Sequence, residues 1–111
     1  CIIHDGYDKM IEIRFNSGGE KVDKIIRYHF VFYGRVQGVG FRYMAQRIAR
    51  MHHLTGRVKN MPDGSVDMEA QGKDSDIWET IRLLRSDQYI RIDNFTVEVM
   101  NVCEAEKDFL R

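Results

Sequence analysis

Tyr28-His29-Phe30-Val31-Phe32-Tyr33-Gly34-Arg35-Val36-Gln37-Gly38-Val39-Gly40-Phe41-Arg42 contains the transition that decides the fold. Tyr28 to Arg35 is dense in aromatic and β-branched residues and predicts a central β-strand. From Phe41 the period changes. Phe41, Met44, Ala45, Ile48 and Ala49 recur at helical spacing, with Gln46, Arg47 and Arg50 on the opposite side, and predict an amphipathic helix. The join is glycine-rich. Gly38 and Gly40 permit positive φ and let backbone approach a ligand without an intervening Cβ. The N–H groups of Gln37, Gly38, Val39, Gly40 and Phe41 can then converge on one oxyanion, aided by the positive end of the helix. Arg42, in the first turn, offers a planar fork of donors suited to phosphate oxygens. For Gly-x-Gly alone, a tight turn with a solvated arginine is the better explanation. Tyr43 occupies the third glycine position of a dinucleotide fingerprint and argues against one.

Outward from this stretch, Thr55 to Asn60 and Ser65 to Gln71 predict two more strands, with Gly72 as the end of the second. Met61-Pro62-Asp63-Gly64 between them has the residues of a hairpin turn: proline presets one corner and Gly64 supplies positive φ. Val66, Met68 and Ala70 alternate with Asp67, Glu69 and Gln71, which predicts one buried and one wet face. Asp74-Ser75-Asp76 offers N-caps for a second helix with Ile77, Ile81 and Leu84 as its apolar stripe and Trp78 and Leu83 beside it. Asn94 to Val102 predicts a fourth strand with Phe95, Val97 and Val99 on one face. The order β-α-β-β-α-β predicts an α+β, ferredoxin-like sandwich, with two helices on one face of an antiparallel sheet. Phe109-Leu110 adds a short edge strand, for four to five strands in all. Residues 1–27 form an N-terminal extension to a domain spanning 28–111. Alternation over Met10 to Phe15 and the turn signal Asn16-Ser17-Gly18-Gly19 fit either a hairpin on the sheet edge or a flexible tail.

Composition narrows the function classes. The 111 residues are 43% apolar, and 17 basic residues balance 17 acidic ones. This is enough for one core, with no bulk charge pointing to nucleic acid or membrane. The apolar runs are shorter than a membrane span, and no secretory pattern opens the chain, so a cytoplasmic location is expected. Cys1 and Cys103, near opposite ends, suit free thiols. His4, His29, His52 and His53 are scattered and read as surface histidines, so no metal site is expected. Arg47, Arg50 and Arg57 suggest a local basic patch that attracts anions, against the plainer reading of a solvated helix face.

At this point the chain resembles the acylphosphatases. Their signature, Gly-Arg-Val-Gln-Gly-Val-x-Phe-Arg, matches from Gly34 to Arg42. A second runs from Gly56-Arg57-Val58-Lys59-Asn60 through Gly64, Val66 and Gly72. The resemblance covers roughly Tyr28 to Val102 and implies the fold already derived. It implies hydrolysis of acyl phosphates, with the loop amides and Arg42 binding the phosphoryl group and Asn60 orienting the attacking water. It also implies no metal and no phosphoenzyme; no cofactor is expected, the expected partner is a small-molecule acyl phosphate, and a monomer is expected. Read alone, Asn60 is merely a polar residue entering the hairpin. The sequence departs from the family pattern at Arg57, where an aromatic is usual, and at His52-His53, where a glycine commonly closes the helix. The first should alter packing or charge near the site, and the second should cost some stability.

Two non-catalytic readings compete. One is an acylphosphatase-like domain that binds acyl or carbamoyl phosphate for a partner. The other is an RNA-binding sheet, since Tyr28, Phe30 and Phe32 share one parity and could stack bases. The latter expects those rings on an open face.

Overall fold

The computed structural model describes residues 13–15 and 21–111. Strands β1 (Ile13–Phe15) and β2 (Lys21–Asp23) pair antiparallel as a two-stranded sheet of their own, not as an edge of the main sheet. The turn signal Asn16–Gly19 lies outside the described residues. The main domain follows as β3 (Ile25–Arg35), α1 (Phe41–Met51), β4 (Thr55–Asn60), β5 (Val66–Lys73), α2 (Asp74–Arg85), β6 (Arg91–Met100) and β7 (Phe109–Leu110). Sheet order is β6-β3-β5-β4-β7. This is the ferredoxin-like arrangement predicted from the sequence.

Four strands pair antiparallel, but β7 runs parallel to β4, so the sheet is mixed. The path of the chain explains the direction. Strand β6 ends where β4 begins, and residues 101–108 then cross the sheet face away from the helices. Gln71 holds this strap at both polar atoms: Cys103 N–H donates to its Oε1 at 2.7 Å, and its Nε2 donates to the Cys103 carbonyl at 3.0 Å. A strand entered from that end can only run with β4. Cys103 itself is a free, exposed thiol.

Several element limits differ from the sequence reading: β3 starts at Ile25 rather than Tyr28, and β6 spans Arg91–Met100 rather than Asn94–Val102. Strand β5 continues through Gly72 to Lys73, and Gly72 pairs with Ile26. A Cβ at Gly72 would lie 2.5 Å from Leu54 Cδ2, so the glycine makes room for a core leucine instead of ending the strand. Helix α2 starts at Asp74 without a side-chain cap. Asp74 instead accepts hydrogen bonds from the Tyr28 hydroxyl and from Trp78 Nε1.

The core lies between the helices and one sheet face. Tyr28, Phe30 and Phe32 have no exposed surface and pack against Trp78, Phe41 and Phe95, with ring centroids 5.1–6.2 Å apart. These rings lie beneath the helices, so they are unavailable as an RNA-stacking platform. The opposite face is polar. There Arg27, only 5% exposed, donates to Glu69, Gln71 and Glu106. Glu69 also accepts from Arg57 at 2.6 Å. Burial opposes Glu69 ionisation, but these two guanidiniums hold its carboxyl below the ordinary range. A lowered folded-state pKa gives stability that is present above the unfolded value and lost as pH falls. Thermal unfolding should therefore start at a lower temperature near pH 3 than near pH 6, and Glu69→Gln should narrow that gap.

Helix α1 closes on His53 at φ 58, the one non-glycine residue with positive φ among those described. Leu54 N–H donates to the Ala49 carbonyl at 2.8 Å and His53 N–H to that of Arg50 at 3.2 Å, the paired bonds of a Schellman motif. A left-handed conformation at a residue with a Cβ costs about 1–2 kcal/mol. His53→Gly should thus raise stability by about 1 kcal/mol, visible as a melting temperature several degrees higher.

Candidate active site

The sheet topology brings the two signatures together. Strands β3 and β4 are both antiparallel to β5, which lies between them, so they run in the same direction and end at the same edge of the sheet. The glycine loop leaves β3 there and Asn60 closes β4 there, about 10 Å apart across one intervening strand. Asn60 shares parity with Val58, which is buried beneath the helices. Its side chain is therefore on the helix side, at the mouth of α1.

One cleft of about 150 Å³ lies at this junction, lined by Val36, Gly38, Gly40, Phe41, Arg42, Tyr43, Asn60 and Arg111. Gly38 and Gly40 have φ 74 and 82, and a Cβ at either would meet nothing within 4 Å. Both conformations suit glycine, and both residues face open space in the loop. Among the described residues, the amides of Gln37, Val39, Gly38 and Gly40 donate to no protein acceptor. The first helical amide, Phe41, has no partner within its own helix. Gly40 caps the helix without a side chain, and no acidic residue occupies its first turn. Nothing in the helix competes with an external anion for its positive end. Arg42 is exposed and makes no ion pair among the described residues. Its guanidinium is thus available to a ligand.

Gln37 and Val39 do not line the cleft with their side chains. Val39 packs partly against the core. Gln37 Nε2 donates to the carbonyls of Met61 and Ser65, both at 2.8 Å. Those residues flank the β4–β5 turn, which is closed by the Met61 N–H to Ser65 carbonyl bond and by Asp63 accepting from Ser65. The side chain therefore ties the glycine loop to the turn that follows Asn60 and fixes the spacing of the two halves. No local pattern marks this clamp, because its partners are main-chain carbonyls 24 and 28 residues away. Gln37→Ala should lower kcat/KM about tenfold at a temperature where circular dichroism shows an intact fold.

Two other lining residues were also missed. In the sequence Tyr43 reads only as a break in the dinucleotide pattern. Arg111 reaches the cleft because β7 runs parallel to β4, and its guanidinium carbon sits 5.7 Å from the Tyr43 ring centroid. The suggested basic patch does not form as a unit. Arg57 lies on the polar sheet face with Glu69, away from the cleft, so the departure from the family aromatic does not alter the site's charge directly. Arg50 is held by Asp108 through two hydrogen bonds of 3.0 and 2.9 Å. Arg47 alone remains without a carboxylate among the described residues. The histidines lie elsewhere: His29 bonds Asp67, His52 bonds Asp76, and His4 is outside the described residues.

Known proteins share both the sequence and the shape. The acylphosphatase family profile matches residues 28–110. The chain is 36% identical over 84 residues to an acylphosphatase of Clostridium acetobutylicum, covering 75% of this chain and 92% of that one. It is 40% identical over 84 residues to an acylphosphatase of Geobacillus thermodenitrificans, covering 75% and 89%. It superposes on the crystal structure of acylphosphatase from Bacillus subtilis with a TM-score of 0.71 and 30% identity, covering 77% of this chain and 96% of that one.

Proposed function

We infer the roles of individual residues from one premise: this chain belongs to the acylphosphatase family. It is an acylphosphatase, an enzyme that hydrolyses the carboxyl–phosphate bond of acyl phosphates to a carboxylate and inorganic phosphate. In our reading, the amides of Gln37 to Phe41 and the Arg42 guanidinium hold the phosphoryl oxygens. Asn60, across the cleft, orients a water toward phosphorus. The observation that carries this reading is the placement of Arg42 and Asn60 on one cleft beside unpaired loop amides.

The chemistry suits that inventory. The leaving group is a carboxylate whose conjugate acid has a pKa of roughly 4, so it departs without a proton donor. The transferring phosphoryl spreads charge over its oxygens, and fixed donors stabilise that charge more as the transition state forms. A water in line with the breaking bond needs positioning more than deprotonation, which a neutral amide can supply. Water's oxygen joins phosphorus, the P–O bond to the acyl group breaks, and the released carboxylate keeps the bridging oxygen. No group of the protein becomes phosphorylated.

The cleft is built from one chain, which supports a monomer as the working unit. Residues 28–111 carry all of the proposed chemistry and residues 1–27 none of it. No helix among the described residues is long and apolar enough to cross a membrane. We place the protein in the cytoplasm, where an exposed thiol such as Cys103 stays reduced.

The test follows acetyl and benzoyl phosphate in water enriched in heavy oxygen, with and without EDTA. We expect release of phosphate in both buffers and solvent oxygen in the phosphate alone. Label appearing in the carboxylate instead would place the attack at carbon and overturn this mechanism.

A further inference from the structure

We propose that a groove beside the cleft binds a negatively charged acyl tail, so that the preferred substrates are acyl phosphates bearing a second anionic group. This rests on the acyl-phosphate reading above and specifies its substrate class. The groove, about 310 Å³, is lined by Tyr43, Gln46, Arg47 and Arg50. Tyr43 is a wall of both the groove and the phosphate cleft. A substrate held by its phosphoryl group at the loop can therefore pass its acyl chain across Tyr43, an exposed residue.

Charge then sets the preference. Gln46 is occupied with the Phe109 carbonyl and Arg50 with Asp108, so neither is available. Arg47 and Arg111, both exposed, have no carboxylate partner among the described residues, and neither cavity is lined by an acidic side chain. The phosphoryl group is already matched by Arg42 and the loop amides. Two further cations flank the path of the acyl chain. Arg47 follows Tyr43 by one helical turn on the same face, a rise of about 6 Å, within the span of a four-carbon chain. The groove on the other side of the loop, lined by Arg35, Val39, Gln88, Tyr89 and Arg91, shares no lining residue with the cleft. Arg91 there is paired with Asp93 at 3.0 Å.

Succinyl phosphate and butyryl phosphate have acyl chains of equal carbon number and differ in a terminal carboxylate, so their kcat/KM ratio isolates the tail charge. Solvent-exposed charge pairs contribute modestly, and wild type should favour succinyl phosphate about fivefold. Arg47→Ala and Arg111→Ala should each lower the ratio to about two, and the double variant to about one. Arg57→Ala, whose guanidinium lies on the far sheet face, should retain the wild-type ratio. A wild-type ratio near one, or a preference that survives the double variant, overturns the proposal while the acylphosphatase reading stands. Failure to hydrolyse either acyl phosphate removes the underlying reading and this proposal with it.

Discussion

Arg42→Ala lowers kcat/KM for benzoyl phosphate at least a hundredfold, a loss on the order of 3 kcal/mol of transition-state stabilisation. The size follows from where the arginine sits. It is in the first turn of α1, at the mouth of a small cleft, with no carboxylate among the described residues to compete for its fork. Charge on the transferring phosphoryl is shared among oxygens that a planar guanidinium can bridge with two parallel bonds. Arg42→Lys keeps the charge and loses the fork, so it should recover only part of the rate. Inhibition by inorganic phosphate should weaken in the same order, because the product presents the same oxygens. Arg42 is exposed and touches little of the core, so the fold should survive the change, as circular dichroism can verify. An Arg42→Ala protein as fast as wild type would sink the assignment.

Asn60→Ala lowers kcat by a comparable factor, about a hundredfold, but leaves KM and phosphate inhibition nearly unchanged. The contrast with Arg42 is the point of the experiment. A group that orients water is needed only as the new bond forms, so its loss does not weaken ground-state binding of the phosphoryl group. Asn60→Asp has the same shape but faces the phosphoryl group with a carboxylate. It should raise KM as well as lower kcat, through like-charge repulsion. A rise in KM for Asn60→Ala, with kcat intact, would recast Asn60 as a phosphate ligand.

Much of this molecule was legible because its signals are local. The strand-to-helix change at Phe41, the limits of β4 and the turn at Gly64 each depend on neighbouring residues, and the structure places them as read. What was illegible depends on pairing between distant segments. Gly72 looks like a terminator until Leu54 is seen against it. The direction of β7 follows from a strap pinned by Gln71, and without that direction Arg111 cannot be placed at the cleft. Arg47, Arg50 and Arg57 look like one patch in the sequence, yet strand parity sends Arg57 to the other face of the sheet. Arg42 is legible as a phosphate donor from its place in the first helical turn after the glycine loop, whereas Asn60 gains its role only through the resemblance, because its approach to that loop depends on strand pairing. The Gln37 clamp is equally hidden: a flexible amide side chain leaves no periodic trace, and its acceptors are main-chain atoms with no residue identity.

The insertion of β5 between β3 and β4 has a consequence for how activity is acquired during folding. The glycine loop and α1 are contiguous in sequence and can form early, before any sheet closes. Asn60 joins them only when β5 has paired on both sides, in the register Phe32 to Val66 and Asn60 to Val66. Val66 is thus the meeting point of both ladders, fully buried between the strand that leads into the glycine loop and the one that ends at Asn60. In a refolding experiment, helical signal should recover first and hydrolysis last, with the appearance of turnover marking the completion of the central sheet.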